Sequence, residues 1–299
     1  MTLMGDVLAG IHSSWEFDTD SVLIRFERGL RTPRLFQVLG ERRIPYEALS
    51  SVELAPGAKR GTVVLRAVPR KGADPLVECA AGQLREAADP YRLVLPAERA
   101  TLAEYYASEL GSGLGPDADR PCTAFLVTAP AAPLQFKAYD AKVTFDGTAV
   151  AFRWFWTGAS SAKWKAGDQT FAIGELAGVE WRSPEIAGGH LRLIRRGPDG
   201  APDKPEEPGP ADQDPAAVVF GLGYGLVHES LPLAASVLYA VRNSAPEDLV
   251  PVQPQARRNG RADPADIAER IRHLGELHSA GLLTDEEFSD KKKALLAEL

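Results

Sequence analysis

The sequence has only two cysteines, Cys79 and Cys122, in 299 residues. Two cysteines in so long a chain do not form a disulfide framework, and neither lies near the partners of a zinc or redox motif. The chain also lacks an apolar run of about 18 residues, and residues 1–10 lack the basic start and apolar stretch of a secretory signal. These absences predict a protein of the reducing cytoplasm that is neither exported nor inserted into a membrane.

Positive charge is in deficit, with 34 Lys and Arg against 41 Asp and Glu and a net charge of -7. This balance argues against nucleic acid as a partner bound through bulk positive charge. Most of the excess acid lies at 197–215, where six acidic residues accompany one lysine among several prolines. We therefore predict a disordered, acidic, proline-rich insertion at 197–215.

Catalytic and metal-binding signatures are also missing. The five histidines have no HExxH or paired-ligand spacing, and no Gly-x-Ser-x-Gly motif occurs. The run Gly221–Leu226 has leucine where the third glycine of a dinucleotide fingerprint should fall, so we predict a hairpin turn there and no helix that begins directly at 226. Ser160-x-x-Lys163 lacks the companions of serine-lysine enzymes and is predicted to be a loop entering a strand. The sequence predicts no metal, no cofactor and no enzymatic activity.

What the chain does contain is a weak internal repeat. Residues 17–26 align with 145–154, and about twenty residues later 44–54 align with 171–181. Both segments alternate apolar and polar residues as strands do, and each half ends in a helical pattern. We predict two separate cores with these buried positions: Ile24, Phe26, Val52 and Leu65, and Phe152, Trp154, Val179 and Leu193.

Short antiparallel strands followed by one terminal helix suit a small barrel or orthogonal sandwich. This plan resembles the pleckstrin-homology (PH) superfold. The run Arg43–Val52 resembles the I-P-Y-x-x-I-x-x-V segment of bacterial PH-like domains. The chain as a whole is similar to an uncharacterised bacterial family that has two such domains in tandem. The predicted fold is mainly β with α: two tandem PH-like β-barrel or sandwich domains, each capped by a C-terminal helix, plus a small C-terminal α-hairpin.

Composition and pattern also predict the domain boundaries. Stretches rich in Gly, Pro and polar residues read as spacers between the patterned segments. The predicted order is PH-like domain 1 at 8–110, a linker at 111–133, PH-like domain 2 at 134–243, a flexible tether at 244–262 and a helical hairpin at 263–299.

The C-terminal residues have the most specific pattern. Asp263-Pro264 is typical of a helix start, Gly281 of a helix end, and Thr284-x-x-Glu287 of a capping box that opens a second helix. This segment resembles the short C-terminal module called SHOCT, which implies an interaction or oligomerisation element. A two-helix hairpin cannot cover its own apolar face. The candidate partner residues are Ile267, Ile271, Leu274, Leu277, Phe288, Leu295 and Leu296.

A second candidate surface is a cluster of arginines in the first repeat. In eukaryotic PH domains, basic residues of the first strand pair bind inositol phosphates, and guanidinium groups suit phosphate geometry. The alternative is a solvated strand face, since the second repeat has Trp156 at the place of Arg28. Indole rings at Trp154, Trp156 and Trp164 are predicted to be core or to line a contact between domains or subunits. The candidate anion-binding residues are Arg25, Arg28, Arg31, Arg34, Arg42 and Arg43.

Together these patterns predict a non-enzymatic cytoplasmic scaffold whose C-terminal hairpin mediates self-association or docking to a protein partner. The alternative is peripheral membrane or anionic-ligand binding through the basic strand pair of the first repeat. A membrane surface is the less favoured partner.

Overall fold

The computed structural model describes residues 6–197, 201–202 and 209–244, together with five separate helical residues of the C-terminal region. Within these residues, fourteen strands form four antiparallel sheets, two in each half of the chain. The predicted mainly β fold with two tandem domains is confirmed.

The first repeat consists of a four-stranded sheet, a three-stranded sheet and a final helix. Strands pair in chain order in both sheets, and the hairpins close through short polar turns such as the one at Asp18, whose amide donates to the carbonyl of Ser21. The elements are β1 Asp6–Ala9, β2 Ser13–Phe17, β3 Ser21–Phe26, α1 Arg34–Leu39, β4 Glu41–Pro45, β5 Leu49–Pro56, β6 Thr62–Pro69, α2 Pro75–Ala80, β7 Arg92–Pro96 and α3 Ala100–Ser112.

The second repeat has the same plan. Its first sheet is again four-stranded and its second sheet three-stranded, with neighbouring strands paired in chain order. The elements are β8 Leu134–Lys137, β9 Ala141–Phe145, β10 Ala149–Trp154, α4 Ser161–Ala166, β11 Gln169–Ala172, β12 Leu176–Arg182, β13 His190–Arg195, β14 Ala217–Val219 and α5 Val227–Asn243.

Most of the predicted core positions are buried. The six buried residues are Ile24, Phe26, Leu65, Phe152, Trp154 and Leu193. Val52 and Val179 are only half-buried and pack at the margins of the two cores. The alternation of inward and outward residues that the repeat predicts therefore holds for six of the eight positions.

Helix α5 belongs to the second repeat but packs against both repeats. It contacts β12 of its own repeat and both α1 and α2 of the first repeat. The core of the second repeat consequently includes four buried residues of the first: Leu35, Leu76, Cys79 and Ala80. The prediction of two separate cores is wrong at this boundary, because a helix that is apolar on nearly all sides needs a cover on each side.

The segment at 111–133 packs against the first repeat and α5. The amides of Leu126 and Val127 both donate to the carbonyl of Ala73, at 2.9 and 3.0 Å. Val127 is 1% exposed. The ring of Phe125 stacks on Tyr239 of α5. This segment therefore adds to the contact between the repeats.

Part of the acidic insertion is also bonded to the sheet. Arg192 on β13 donates to the carbonyl of Gly209 at 2.7 Å and lies 3.0 Å from the carboxylate of Asp214. At the other end, the amide of Gly197 donates to the carbonyl of Ala201. The described residues at both ends of the insertion thus form hydrogen bonds or ion pairs, so the prediction that the insertion is disordered is wrong for these residues.

No helix among the described residues is both long and apolar enough to cross a bilayer. The predicted tether at 244–262 lies outside the described residues except for Ser244, and the predicted hairpin at 263–299 lies outside them except for the five separate positions.

Candidate functional site

Arg42 forms a buried ion pair in the first repeat. Its guanidinium donates two hydrogen bonds to Asp74, at 2.8 and 2.9 Å, and lies over the ring of Tyr91. The Tyr91 hydroxyl donates to the same carboxylate at 2.7 Å. Asp74 also accepts from the amide of Leu76 and so caps α2. Burial, together with the charge of Asp74, raises the pKa of Tyr91 well above its usual value.

The prediction that Arg42 binds an anion is therefore wrong. The side chain of Arg42 is 4% exposed and that of Asp74 is fully buried. A bidentate pair with a carboxylate already uses the donors that a phosphate would need.

Two other arginines of the predicted cluster take part in surface ion pairs. Arg25 lies 2.6 Å from Glu16 and 3.5 Å from Glu41 on the neighbouring strands. Arg43 lies 3.2 Å from Asp18 and donates to the hydroxyl of Ser21. Exposed cross-strand pairs of this kind contribute little to stability.

The remaining three arginines lie on or next to the loop between β3 and α1. Arg28, Arg31 and Arg34 are exposed. Among the described residues, no carboxylate lies within ion-pair distance of any of them. The loop has a defined shape, because the side-chain amide of Gln37 donates to the carbonyls of Gly29 and Thr32, at 3.0 and 2.9 Å. The structure thus separates these three arginines from the other members of the predicted cluster.

In the second repeat, a buried lysine replaces an aromatic ring of the first. Phe26 and Phe36 stack in the first repeat at 4.6 Å between ring centroids. The corresponding positions, on β10 and α4, hold Trp154 and Lys163, and the ammonium lies 5.1 Å from the indole ring. Lys163 donates to the carboxylate of Asp140, and both side chains are buried.

This pair accounts for the Ser160-x-x-Lys163 motif. The segment forms helix α4, so the prediction of a loop entering a strand is wrong. Ser160 is the N-cap of that helix and accepts from the amide of Lys163. Burial lowers the pKa of Lys163 and raises that of Asp140, while the charge of each group opposes the shift in the other. The arrangement uses the lysine as a structural ion-pair partner.

Several aromatic side chains of the second repeat are about half-exposed. Trp156 and Trp164 pack edge to face at 5.1 Å, and Tyr139 and Tyr224 do so at 6.3 Å. Phe152 and Trp154 are core residues. The prediction that these tryptophans are core residues is therefore confirmed for Trp154, whereas Trp156 and Trp164 lie at the surface.

The glycine-rich run at 221–226 is a tight turn between β14 and α5. The amide of Tyr224 donates to the carbonyl of Gly221 at 3.0 Å, and Gly223 has a φ of 81°. The turn was predicted, but it is not a hairpin turn, and the prediction that no helix begins directly after it is wrong, because α5 begins at Val227. Leu222 at the tip is fully exposed.

Polar contacts fix the two repeats to each other. Arg242 of α5 pairs with Glu78 of α2 at 2.5 Å. The side chain of Gln83 donates to the carbonyl of Trp181 and accepts from the amide of Ser183. A groove of about 710 Å³ lies along this boundary, between α2 and the strands β12 and β13. Sequence reasoning did not find this boundary.

The seven candidate partner residues of the predicted C-terminal hairpin lie outside the described residues. They are Ile267, Ile271, Leu274, Leu277, Phe288, Leu295 and Leu296. Among the residues that the structure does describe, no group of three or more His, Cys, Asp or Glu side chains is arranged to hold a metal ion.

These features define a class of protein built from two mainly β domains joined through a shared helix. A family model described as a domain of unknown function (DUF4429) matches residues 15–110 and 143–238, so the chain belongs to this family. A second model, described as a short C-terminal domain (SHOCT), matches residues 269–296. A search of curated proteins finds no match to this chain.

Proposed function

We propose that the protein is a non-enzymatic interaction scaffold of the cytoplasm. The two repeats form one folded base, and the C-terminal hairpin mediates self-association or docking to a protein partner. The observation that carries this proposal is the joining of the repeats through α5, α2 and the linker, which gives the chain a single base to which the short C-terminal domain is attached.

The described polar groups support a structural rather than a catalytic role. The buried Arg, Lys and Asp side chains of the described residues form two ion pairs inside the repeats, Arg42 with Asp74 and Lys163 with Asp140. A catalytic acid or base must instead reach substrate with a free proton or lone pair. The four-plus-three strand order with a final helix also supports the PH-like assignment of each repeat, which stays a prediction.

Light scattering coupled to size exclusion tests the role of the tail. We expect wild type to have the mass of an oligomer and Leu274→Asp/Leu277→Asp to have the mass of one chain, because an unpaired charge is costly in an apolar contact. A chain ending at Val250 should also have the mass of one chain. Leu102→Asp makes the same change at an exposed leucine on α3 and should behave as wild type.

If every variant has the mass of a single chain, the tail does not mediate self-association. Affinity capture with and without residues 263–299 would then decide whether it docks to another protein. Equal capture by both chains, together with equal masses, would contradict the proposed function.

The second candidate function is binding of a phosphate-rich anion at Arg28, Arg31 and Arg34. What favours it is that these guanidinium groups are exposed and without an acidic partner among the described residues. Titration with a soluble polyphosphate should show binding that the triple change to Gln removes. The same change at Arg25 and Arg43, which are already paired, should leave binding within about twofold.

A further inference from the structure

The loops that precede α1 and α5 lie at the same end of the two-repeat unit. Leu35 and Leu39 of α1 pack in the same core as α5. Arg34 begins α1, which is in contact with α5. Val227 at the start of α5 packs against the core that contains Leu35 of α1, and the charge of Arg34, together with burial, lowers the pKa of His228. The first turns of the two helices are therefore neighbours. The loop at 27–33 and the loop at 220–226 lead directly into them.

Each of these loops has a leucine at its tip in full contact with solvent. The exposed fractions of Leu30 and Leu222 are the highest among the large apolar residues that the structure describes. Each is next to a glycine in sequence, at Gly29 and Gly223. A leucine that packs on nothing at a loop tip exposes its whole apolar surface to water, which is unfavourable in the isolated molecule.

The half-exposed aromatic residues continue the same surface. Gly221 packs on the ring of Tyr139, so closely that a Cβ there would lie 3.0 Å from it. Gly158 packs on the backbone of Tyr139 and joins this ring to the loop that carries Trp156. We call the whole set the exposed apolar face: Leu30, Tyr139, Trp156, Trp164, Leu222 and Tyr224.

We propose that the exposed apolar face docks onto a lipid bilayer. The two leucines enter the boundary between headgroups and acyl chains, and the four aromatic rings lie at the level of the headgroups. Trp and Tyr are suited to this position because one end of each ring is apolar and the other can form hydrogen bonds. This docking is separate from self-association through the tail.

The shape of the face favours a bilayer over a protein partner. Protein interfaces place their main apolar anchors in closely packed pockets near the centre of the contact. Here the two leucines protrude from separate loop tips. A partner must therefore have a deformable apolar layer into which both side chains can insert. Partial insertion of apolar side chains is the mode by which proteins bind the membrane interface without spanning it.

The charges around the leucine of the first repeat fit the same partner. Arg28, Arg31 and Arg34 surround Leu30 in sequence, with Glu27 as the acid of that loop. Guanidinium groups near a bilayer are attracted to anionic headgroups and bind phosphate oxygens in pairs. The second repeat adds the exposed Lys165, next to Trp164 in sequence. It also has two acids, Asp168 four residues after Trp164 and Glu229 in the first turn of α5. We therefore expect insertion of the leucines to bind the protein to any bilayer, and anionic lipid to increase its affinity through the arginines.

Vesicle co-sedimentation of the full chain tests this proposal. The probes are vesicles of phosphatidylcholine alone and of phosphatidylcholine mixed with phosphatidylserine. Wild type should sediment with both, and more with the mixed vesicles. Leu30→Asp/Leu222→Asp should lower the partition coefficient about tenfold or more on both, because each change removes an apolar group and adds a charge at the interface.

Leu102→Asp is the matched control, since it makes the same change at an exposed leucine of α3 and should bind within about twofold of wild type. Tryptophan emission gives a second readout. Vesicles should shift the emission of wild type to shorter wavelength, and Trp156→Phe/Trp164→Phe should remove most of that shift. All replaced side chains are exposed, so unchanged thermal unfolding should show that the variants fold.

Three results would overturn the proposal. One is wild type that sediments with neither vesicle. Another is a leucine double variant that binds like wild type. The third is binding that depends on Arg28, Arg31 and Arg34 but not on the leucines, which would assign the surface to charge attraction alone.

Discussion

At the scale of single residues, each repeat contains one buried ion pair that sequence reasoning misread. Arg42 was assigned to a surface cluster, although it lies two positions before the buried Ile44 on the same strand. Residues two apart share a face of a strand, so the alternation already placed Arg42 inward. Lys163 could not be found in this way, because its partner Asp140 lies on a distant turn that only the folded sheet brings near.

Replacing Arg42 with Met should leave the carboxylate of Asp74 buried without its partner charge. Loss of one member of a buried pair costs about 3–5 kcal/mol of the free energy of unfolding. Arg43→Met, the neighbouring change at an exposed pair, should cost less than about 1 kcal/mol. Urea unfolding of both variants measures the difference in the free energy of unfolding. Equal midpoints would mean that the buried pair contributes no more to stability than the exposed pair of Arg43.

Asp146 should make stability depend on pH. Its carboxylate accepts hydrogen bonds from the amides of Thr148 and Ala149, which hold the pKa of Asp146 below its usual range. A carboxyl whose pKa is lowered by folding stabilises the protein above the pKa of the unfolded chain. That contribution is lost as the pH falls through the folded pKa.

The matched variant is Asp146→Asn, which keeps the side-chain oxygen but cannot ionise. We expect wild type to have the higher Tm above a pH of about 4. The difference should shrink as the pH is lowered further. A constant difference between the two proteins across that range would show that the charge of Asp146 is not involved.

At the scale of elements, the strands were predicted better than the short helices. Strands can be recognised from alternating apolar and polar residues. Helices α1, α2 and α4 have six residues each, which is too short for a clear helical periodicity. A signal for α2 did exist in the pair Asp74-Pro75, the same cap and first-turn proline that predict the helix at Asp263-Pro264. The apolar composition of α5 on nearly all its faces was likewise a sign of burial on two sides.

Helix α2 should contribute to stability chiefly through Leu76. This residue is fully buried in the core that α5 shares with the first repeat. Leu76→Ala should lower the free energy of unfolding by about 2–5 kcal/mol because it leaves a cavity. The half-buried Val77 on the same helix is the control, and Val77→Ala should cost about 1 kcal/mol or less. Similar losses for the two variants in urea unfolding would contradict the role given to this face of α2.

At the scale of the whole molecule, the repeat predicted two similar domains but not how they meet. The alignment of 17–26 with 145–154 reports only what the repeats have in common. Their contact depends on what differs, such as Leu35 and Gln83 in the first repeat and the apolar surface of α5 in the second. For the same reason, the exposed apolar face became visible only when separate loops were placed side by side.

The central claim of this account is that the two repeats and their linker form one folded base. Differential scanning calorimetry of the chain ending at Val250 tests it most directly. Because the core around α5 includes buried residues of α1 and α2 from the first repeat, we predict a single transition whose calorimetric and van't Hoff enthalpies agree. Leu76→Ala should move that whole transition to lower temperature. Two separate transitions in that chain, of which Leu76→Ala shifts only the one that belongs to the first repeat, would contradict the claim.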